Sequence, residues 1–292
     1  MKTSFSIFLL FISIYLFGQE HQSHDSLTKL LEKIYYEDQN PRILSLSLEK
    51  EFGITSDTVQ KLYKQTMYID SINTTIVTRI IDKYGWLSAS QTSVLANKTL
   101  FLVIQHADIN TELKYIDTLK NAALTGRAKP SEYALLVDRT NLHLRKFQEY
   151  GSQLSTNKSG INVFYPIKDE PNVNKRRQNF GLKPLEEYAV IFNVVYTLPK
   201  KDLYKNCYAL IGYVRDTLDN PIENVAIYLG KKLMTKSDSD GYYIIPITEK
   251  IKTAKIFYRK QEFNDTEYIW IKEGNIEVYQ KYVWLTKKKA CP

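Results

Sequence analysis

Apolar residues recur at helical spacing along the first two thirds of the chain. From Ser26 to about Leu185 they return every three or four positions, which is the pattern of helices that bury one face. The stripes that this spacing predicts are Leu27, Leu30, Leu31 and Ile34; Ile72, Ile76, Ile80 and Ile81; Leu113, Ile116 and Leu119; and Leu135, Leu136, Leu142 and Phe147. This part of the chain is therefore expected to form an all-α domain of four or more helices.

Polar caps, proline and glycine indicate where these helices begin and end. Asp70 and Asn110 are expected to begin two of the helices, because their side-chain oxygens can accept backbone N–H bonds. Pro130 suits the first turn of another helix. Gly85 is expected to end one helix, and Gly151 is expected to end another in the left-handed conformation.

The pattern changes beyond about Leu198, where apolar and polar residues alternate as they do along half-buried strands. The predicted strands are Tyr208–Val214, Val225–Leu229, Tyr242–Ile247, Ile256–Tyr258 and Val278–Leu285. Turn residues separate strands at Asn220–Pro221 and at Asp238–Gly241. The predicted fold class is therefore a helical domain followed by a small all-β sandwich of the prealbumin-like or immunoglobulin-like kind.

The N-terminus has the pattern of a secretory signal peptide. Lys2 precedes an apolar run from Phe5 to Phe17 that is shorter than a spanning helix needs, and small Gly18 offers a cleavage point. An uncleaved N-terminal anchor is the alternative. We expect a signal peptide over residues 1–18, a helical domain over 26–188, a linker over 189–206 and a sandwich over 207–287. The mature protein is then expected to be periplasmic or secreted, with no transmembrane segment after cleavage.

Charge and cysteine content limit the partners. The precursor has a net charge of +8, but its lysines are scattered over predicted strands, so nucleic acid is not an expected partner. In an oxidising compartment Cys207 and Cys291 are expected to form a disulfide, which would close a loop of about 84 residues and add roughly 4.5 kcal/mol. Two free thiols are the alternative, because Cys291 lies one residue from the end of the sequence.

Polar residues interrupt the helical part at a few places and are the candidates for a site, because they are costly to bury unless they are paired. His106 shares a helix face with Leu102, and Asp138 with Leu135, so both side chains are expected to point inward. His106 and Asp138 are the candidate catalytic residues. The candidate ligand-binding residues are Asp38, Gln39, Arg42, Gln105, Arg139, Gln148, Tyr150, Gln153, Arg176 and Arg177. The alternatives are a hydrogen-bonded core histidine and an internal ion-pair network around Asp138.

These residues also carry a resemblance. The motifs follow one another as Asp38, Gln39 and Arg42; Gly85 and Trp86; Gln105 to Asp108; Asp138 and Arg139; Gln148 to Gln153; and Arg176, Arg177, Gly181 and Leu182. The stretch from Leu27 to Tyr188 resembles a bacterial domain family of unknown function with the hallmark order QHAD, DR, YGTQ, RR and GL. Ser152 stands where threonine is usual, and Asn174 where an acid is common. The resemblance supports the grouping of these residues and implies no reaction.

A second resemblance covers most of the chain from Cys207 to Leu285. It rests on Gly212, Val214, Asp216, Asn220, Pro221, Ile222, Val225, Ile227, Ser237, Asp238, Asp240, Gly241 and Tyr242. This string resembles the carboxypeptidase-regulatory-like, transthyretin-like domain of secreted bacterial proteins, which is usually an accessory folding or interaction module. Asp238 and Asp240 are expected to form a turn, because two loop carboxylates fall short of the roughly six to eight oxygen ligands that calcium takes.

Two functions remain open, and neither requires a metal or a cofactor. In the first, the chain is a ligand-binding or envelope-associated module: the arginines and glutamines hold an unknown polar or anionic ligand, and the sandwich docks to an envelope protein or a glycan. In the second, it is an exported, hydrolase-like enzyme in which His106 is the general acid or base, Asp138 orients it, and Arg176 or Arg177 stabilises an anionic group. No nucleophile is identifiable, which favours the first function for the whole protein.

Overall fold

The computed structural model describes residues 4–156 and 161–288, with side chains from residue 25 onward. Its helical region extends to residue 191 and is followed by a β-sheet region that begins at residue 207, which confirms the predicted fold class. The chain divides into two compact units, residues 1–136 and 137–292. We call them the helical unit and the second unit.

Long helices build the helical unit. They are α1 (Ser4–Phe52), α2 (Asp57–Tyr84), α3 (Val94–Gln105), α4 (Ile109–Leu124) and α5 (Pro130–His143). Residues 137–143 of α5 belong to the second unit. α1 packs against α2 and α3, and α3 also packs against α2 and α4. Within residues 4–156 and 161–288, no helix combines the length and apolarity that a membrane span requires.

Parts of the predicted apolar stripes meet in one core in the helical unit. Leu31, Ile34, Ile81 and Leu119 are at most 4% exposed and belong to the same buried cluster. Each such side chain stabilises the fold by roughly 1.5–3 kcal/mol relative to an exposed position. Three residues of the predicted stripes are exposed instead of buried: Leu30 (36%), Ile72 (42%) and Leu113 (47%). Phe147 is buried in a different cluster, in the second unit.

Two helices begin at other residues than predicted. α2 begins after Ser56, whose hydroxyl accepts the N–H of Val59, so Asp70 lies inside the helix and does not cap it. α4 begins after Asp108, because this carboxylate accepts the backbone N–H groups of Asn110 and Thr111. The prediction that Asp70 and Asn110 are caps was therefore wrong. In both cases a side chain further upstream, Ser56 or Asp108, satisfies the free N–H groups.

The predicted helix ends are partly confirmed. Pro130 is the first residue of α5, and Gly85 ends α2 with φ 72°. α5 ends at His143, with Arg145 at φ 56° just beyond it, so Gly151 does not end this helix. Gly151 still needs the left-handed region, since its φ is 66° in the following loop.

Short elements precede the sandwich in the second unit. They are β1 (Leu154–Thr156), β2 (Asn162–Phe164), a 3₁₀ helix (Glu170–Asn172), α6 (Val173–Asn179) and α7 (Leu185–Ile191). β1 and β2 pair antiparallel. The loop after α5 packs on the sandwich, because Phe147 contacts Ala209 and Val278 in one buried cluster and the Glu277 carboxylate accepts its N–H at 3.0 Å. The second unit therefore combines this segment with the strands.

Two four-stranded sheets form the sandwich. The strands are β3 (Cys207–Asp216), β4 (Ala226–Leu229), β5 (Lys232–Lys236), β6 (Tyr242–Thr248), β7 (Thr253–Arg259), β8 (Thr266–Ile271), β9 (Val278–Gln280) and β10 (Val283–Leu285). One sheet has the order β10-β3-β6 with β9 also on β3, and the other has the order β5-β4-β7-β8. The predicted strands are present, but β5 and β8 were missed and the last predicted strand is divided into β9 and β10.

Strand β3 is central to the first sheet. It pairs antiparallel with β6 and parallel with both β9 and β10. Because side chains alternate between the faces of a strand, Leu210 and Val214 point into the core between the sheets, where each is fully buried with Ile245 and Trp270. Ala209 and Ile211 belong to a different buried cluster, the one that contains Phe147.

Candidate functional site

The helical unit contains a connected group of polar side chains. Its members are Asp38, Gln39, Arg42, Asp70 and His106, and we call it the polar cluster. Four of the five are site candidates from the sequence. Asp70 is not among those candidates, because a carboxylate within an amphipathic helix gives no local sign of the residue that lies opposite it.

Helix periodicity forces Asp38 into the interior. It follows the buried residues Leu31 and Ile34 of α1 by seven and four positions, and it is 1% exposed. His106 directly follows α3, where its backbone N–H bonds the Leu102 carbonyl oxygen at the end of the helix. The imidazole of His106 therefore comes from a helix that packs against α1.

The contacts of the polar cluster form a chain from His106 to Asp70. His106 Nδ1 lies 2.9 Å from Asp38 Oδ1. Gln39 Nε2 donates to Asp38 Oδ2 at 2.6 Å. Arg42 Nη1 lies 3.4 Å from Asp38 Oδ1, and its Nη2 donates to Asp70 Oδ2 at 2.8 Å. A buried carboxylate is thus compensated by hydrogen bonds and by a cation.

These contacts determine the direction in which the pKa of Asp38 moves. Burial by itself raises the pKa of the Asp38 carboxyl, because it disfavours the charged form. The hydrogen bond and charge of His106, the charge of Arg42 and the hydrogen bond from Gln39 outweigh burial, so the pKa lies below its usual range.

Replacement of Asp38 by asparagine should make the loss of stability depend on pH. The lowered pKa means that the ionised carboxylate stabilises the fold fully above the unfolded-state pKa of about 3.9, and this contribution is lost as pH falls through the folded pKa. We expect Asp38→Asn to cost about 1–3 kcal/mol at neutral pH. Urea unfolding from neutral pH to below about pH 4 should show this difference shrinking in acid. A difference that stays constant with pH would contradict the assignment.

The polar cluster leaves several hydrogen-bonding groups unused. Among the described residues, His106 Nε2, Asp70 Oδ1 and Asn73 Nδ2 have no hydrogen-bond partner. Asn73 is 1% exposed and lies three residues after Asp70 on α2. A buried polar atom without a partner costs about 1–3 kcal/mol, so a water or a ligand is expected to satisfy Asp70 Oδ1 and Asn73 Nδ2, which are both buried. The His106 side chain is partly exposed. Asn73 could have been found from the sequence, because this polar residue lies at helical spacing with the apolar residues Val77 and Ile81 of the same buried stripe.

The second unit holds a different polar arrangement around Asp138. This carboxylate is fully buried on α5. Its Oδ1 accepts the N–H groups of Glu149 at 2.8 Å and Tyr150 at 3.0 Å, and its Oδ2 accepts that of Ser152 at 2.8 Å. Burial raises the pKa of Asp138, while these three N–H donors oppose it. Asp138 therefore holds the loop that follows α5.

The two glutamines of this loop bond the loop itself. Gln148 is fully buried: its Nε2 donates to the carbonyl oxygens of Gln153 and Tyr165, and its Oε1 accepts the Gln153 N–H at 2.6 Å. The Gln153 side chain donates to the Ser152 hydroxyl at 3.1 Å. The amide of Gln148 is thus used in stabilising the backbone and is not available for a ligand.

The side chains of Arg176 and Arg177 also donate hydrogen bonds to backbone carbonyl oxygens. Arg177 is 1% exposed, and it donates to the carbonyl oxygens of Lys183 and Tyr150, each at 2.6 Å. Arg176 donates to the carbonyl oxygens of Glu149, Asp169 and Lys168. Both guanidinium groups therefore fasten the loop and the segment around α6, which leaves them little capacity to bind an anion.

The remaining candidates lie at the margins of these arrangements. Gln105 is the last residue of α3, and Arg139 is half-buried next to Asp138 on α5. Asp108 caps α4 and is exposed. Cys207 begins β3, whereas Cys291 lies outside the described residues, so the disulfide stays a prediction.

A family model matches residues 50–201 and carries the description family of unknown function (DUF6624). The chain belongs to the family of unknown function DUF6624. The match includes His106, Asp138 and both arginines but begins after Asp38, and it extends past the predicted end of the helical domain. No curated protein matches the sequence.

Two solved structures show weak similarity. A streptococcal ancillary pilin is 9% identical with a TM-score of 0.21, over 44% of this chain and 40% of the pilin chain. The 3-chlorocatechol 1,2-dioxygenase of Rhodococcus opacus 1CP is 10% identical with a TM-score of 0.22, over 61% of this chain and 98% of the enzyme. The chain thus spans about 40% of the pilin's length, and at these TM-scores neither similarity supports a functional argument.

Proposed function

We propose that this member of the DUF6624 family is an exported protein whose helical unit binds a small polar ligand at the polar cluster. The observation that carries the proposal is that the cluster is tightly held and yet, among the described residues, two buried atoms have no partner, Asp70 Oδ1 in the cluster and Asn73 Nδ2 three residues further along α2. The partly exposed His106 leaves Nε2 without a partner beside them. A purely structural network would be expected to use its buried donors and acceptors.

The bond to Asp38 sets the chemistry of His106. A carboxylate only accepts hydrogen bonds, so neutral His106 carries its proton on Nδ1, and Nε2 presents a lone pair. A ligand with an O–H or N–H donor would pair with Nε2. The engagement of Arg176 and Arg177 with carbonyl oxygens favours a polar ligand over a strongly anionic one.

Export and the role of the sandwich belong to the same proposal. The apolar run from Phe5 to Phe17 supports a cleaved signal peptide and a periplasmic or secreted location. The string from Gly212 to Tyr242 supports a transthyretin-like accessory domain that contacts an envelope protein or a glycan. The turn it predicts is present, since Asp238 Oδ1 accepts the N–H groups of Asp240 and Tyr242.

The second candidate function is acid–base catalysis at the same residue. The pairing of His106 with Asp38 resembles the arrangement in which a carboxylate orients a histidine that acts as general base. In this candidate Asp38, and not Asp138, is the orienting residue, because the Asp138 oxygens accept backbone N–H groups.

Replacement of His106 by glutamine tests both functions. A thermal-shift screen of the full chain against polar metabolites and glycans first identifies a stabilising compound. We expect His106→Gln to weaken that compound at least about tenfold, a loss of about 1.4 kcal/mol, while unfolding changes little. The exposed His143 provides the matched control, His143→Gln. If His106→Gln binds the compound with unchanged affinity but no longer converts it, the result would indicate the enzyme instead. A screen without any stabilising compound would remove support for binding.

A further inference from the structure

The second unit contains a cavity that the proposed function does not use. It has a volume of about 530 Å³ and lies between the segment before the sandwich and the outer face of β6. Five aromatic rings and one carboxylate line it, contributed by Phe164, Tyr165, Tyr196, Tyr204, Tyr242 and Glu170. Its other lining residues among those described are aliphatic side chains, a proline and two asparagines.

The charge of the cavity lining differs in sign from the net charge of the whole chain. The whole chain has a net charge of +8, yet the described lining contains no lysine, arginine or histidine. Glu170 is its only charged side chain among the described residues, and Asp202 is near enough to act on Glu170 in the same direction. The local charge is therefore negative within a basic protein.

Glu170 is held in position at the cavity wall. The Tyr196 hydroxyl donates to Glu170 Oε1 at 2.6 Å. The Phe164 and Tyr196 rings are 5.4 Å apart and inclined at 76°, so they form two perpendicular sides of a corner. The carboxylate thus lies next to aromatic rings that are already packed against each other.

No cation in the described part of the chain is among the groups that shift the pKa of Glu170, although the charge of the buried Arg177 acts on Tyr196 in the cavity wall. Burial raises the pKa of Glu170, and the neighbouring Asp202 carboxylate raises it further, against the hydrogen bond from Tyr196. Burial also raises the pKa of Tyr204, and the charge of Glu170 adds to this effect, which places the two groups close together. A bound cation would relieve the cost of burying the carboxylate.

We propose that this cavity binds an alkylammonium group, with the aromatic rings around the cation and Glu170 as its counter-ion. Aromatic faces attract organic cations, most strongly where water is displaced, and a carboxylate adds direct charge pairing. Among the described residues, the hydroxyls of Tyr165, Tyr204 and Tyr242 have no hydrogen-bond partner, and a hydroxyl on the ligand would pair with them. The site is independent of the polar cluster in the helical unit.

Choline and its uncharged carbon analogue, 3,3-dimethylbutan-1-ol, test the proposal on the unaltered full chain. The two molecules have nearly the same shape and differ in the positive charge. Calorimetric titration should show saturable choline binding at least about tenfold tighter than binding of the analogue. The proposal is overturned if the analogue binds equally well, or if neither choline nor tetramethylammonium binds saturably.

A variant pair locates the site. Glu170→Gln keeps an oxygen that can accept the Tyr196 hydroxyl and removes the charge, so choline binding should weaken about tenfold. Glu187→Gln is the matched control, because Glu187 is exposed and does not line the cavity. Equal affinity of both variants for choline would refute the site.

A third variant covers the case in which Glu170→Gln does not fold. Val195 lines the cavity yet is fully exposed, so Val195→Lys adds a positive charge at the opening without disturbing the core. We expect weaker choline binding, whereas Val190→Lys, at an exposed position outside the lining, should leave it unchanged. Unaltered binding in Val195→Lys would count against the site.

Vesicles distinguish the source of the alkylammonium group. Flotation with phosphatidylcholine vesicles that free choline competes away would identify a lipid headgroup. Choline binding without flotation would identify a free small molecule. Flotation that is equal on phosphatidylglycerol vesicles and insensitive to choline would overturn the headgroup assignment.

Discussion

Replacement of Asp138 by alanine should lower the free energy of unfolding by about 3–5 kcal/mol, because it leaves three backbone N–H groups without their acceptor. Asp138 is fully buried, so water cannot replace the carboxylate at no cost. The loop from Glu149 to Ser152 is expected to lose its fixed conformation. Urea unfolding measures the stability, and hydrogen exchange at the amides of Glu149, Tyr150 and Ser152 locates the change.

Asp108 provides the matched control for this prediction. Its carboxylate also accepts two backbone N–H groups, but it is exposed, so Asp108→Ala should cost only about 1 kcal/mol. If Asp138→Ala does not fold, Asp138→Asn keeps one acceptor oxygen and should have an intermediate cost. Equal costs for Asp138→Ala and Asp108→Ala would show that Asp138 does not hold the loop.

Replacement of Gly212 by alanine should cost about 4 kcal/mol or more, or prevent the second unit from folding. A Cβ atom at this position would lie 1.8 Å from the carbonyl oxygen of Lys281 and 2.9 Å from the Tyr243 hydroxyl. The Lys281 carbonyl also accepts that hydroxyl at 2.9 Å, so it cannot move away without breaking the bond. The chain between β9 and β10 would have to leave β3, to which both strands are paired.

Gly230 separates this steric effect from the general cost of replacing a glycine. It lies in the turn between β4 and β5 with φ 60° and has no atom within 4 Å of an added Cβ. Gly230→Ala should therefore cost only about 1–2 kcal/mol, from the left-handed conformation alone. Soluble yield and urea midpoint compare the variants, and a Gly212→Ala protein as stable as Gly230→Ala would refute the close approach of Lys281.

Residue spacing predicted the buried faces of helices and strands more accurately than it predicted the residues at which these elements begin and end. The stripe through Leu31 and Ile34 and the alternation along β6 are local properties, and both are confirmed. Strand β3, by contrast, is buried on both faces. Asp70 was misplaced as a cap because Ser56 begins α2 well upstream of it. Strand β5 (Lys232–Lys236) was missed because it is largely exposed and has few apolar residues. Strand β8 (Thr266–Ile271) was missed because Tyr268, Ile269, Trp270 and Ile271 form a continuous apolar run instead of an alternating one.

Partner choice within the candidate site could not be predicted from spacing. From the sequence, Asp138 is the residue expected to orient His106, whereas the carboxylate bonded to His106 is that of Asp38, which lies more than sixty residues earlier in the chain. Periodicity shows that both carboxylates point inward. It does not show which helix packs opposite, because that depends on how whole elements pack together.

The sequence by itself determined the helical region, the change to strands near residue 198 and the inward faces of His106 and Asp138, because these follow from local periodicity. Only the tertiary structure decided that His106 pairs with Asp38, that the arginine pair bonds carbonyl oxygens, and that Glu170 lies among aromatic rings. The physical reason is that hydrogen bonds and cavities join residues distant along the chain, and their geometry exists only after the elements have packed.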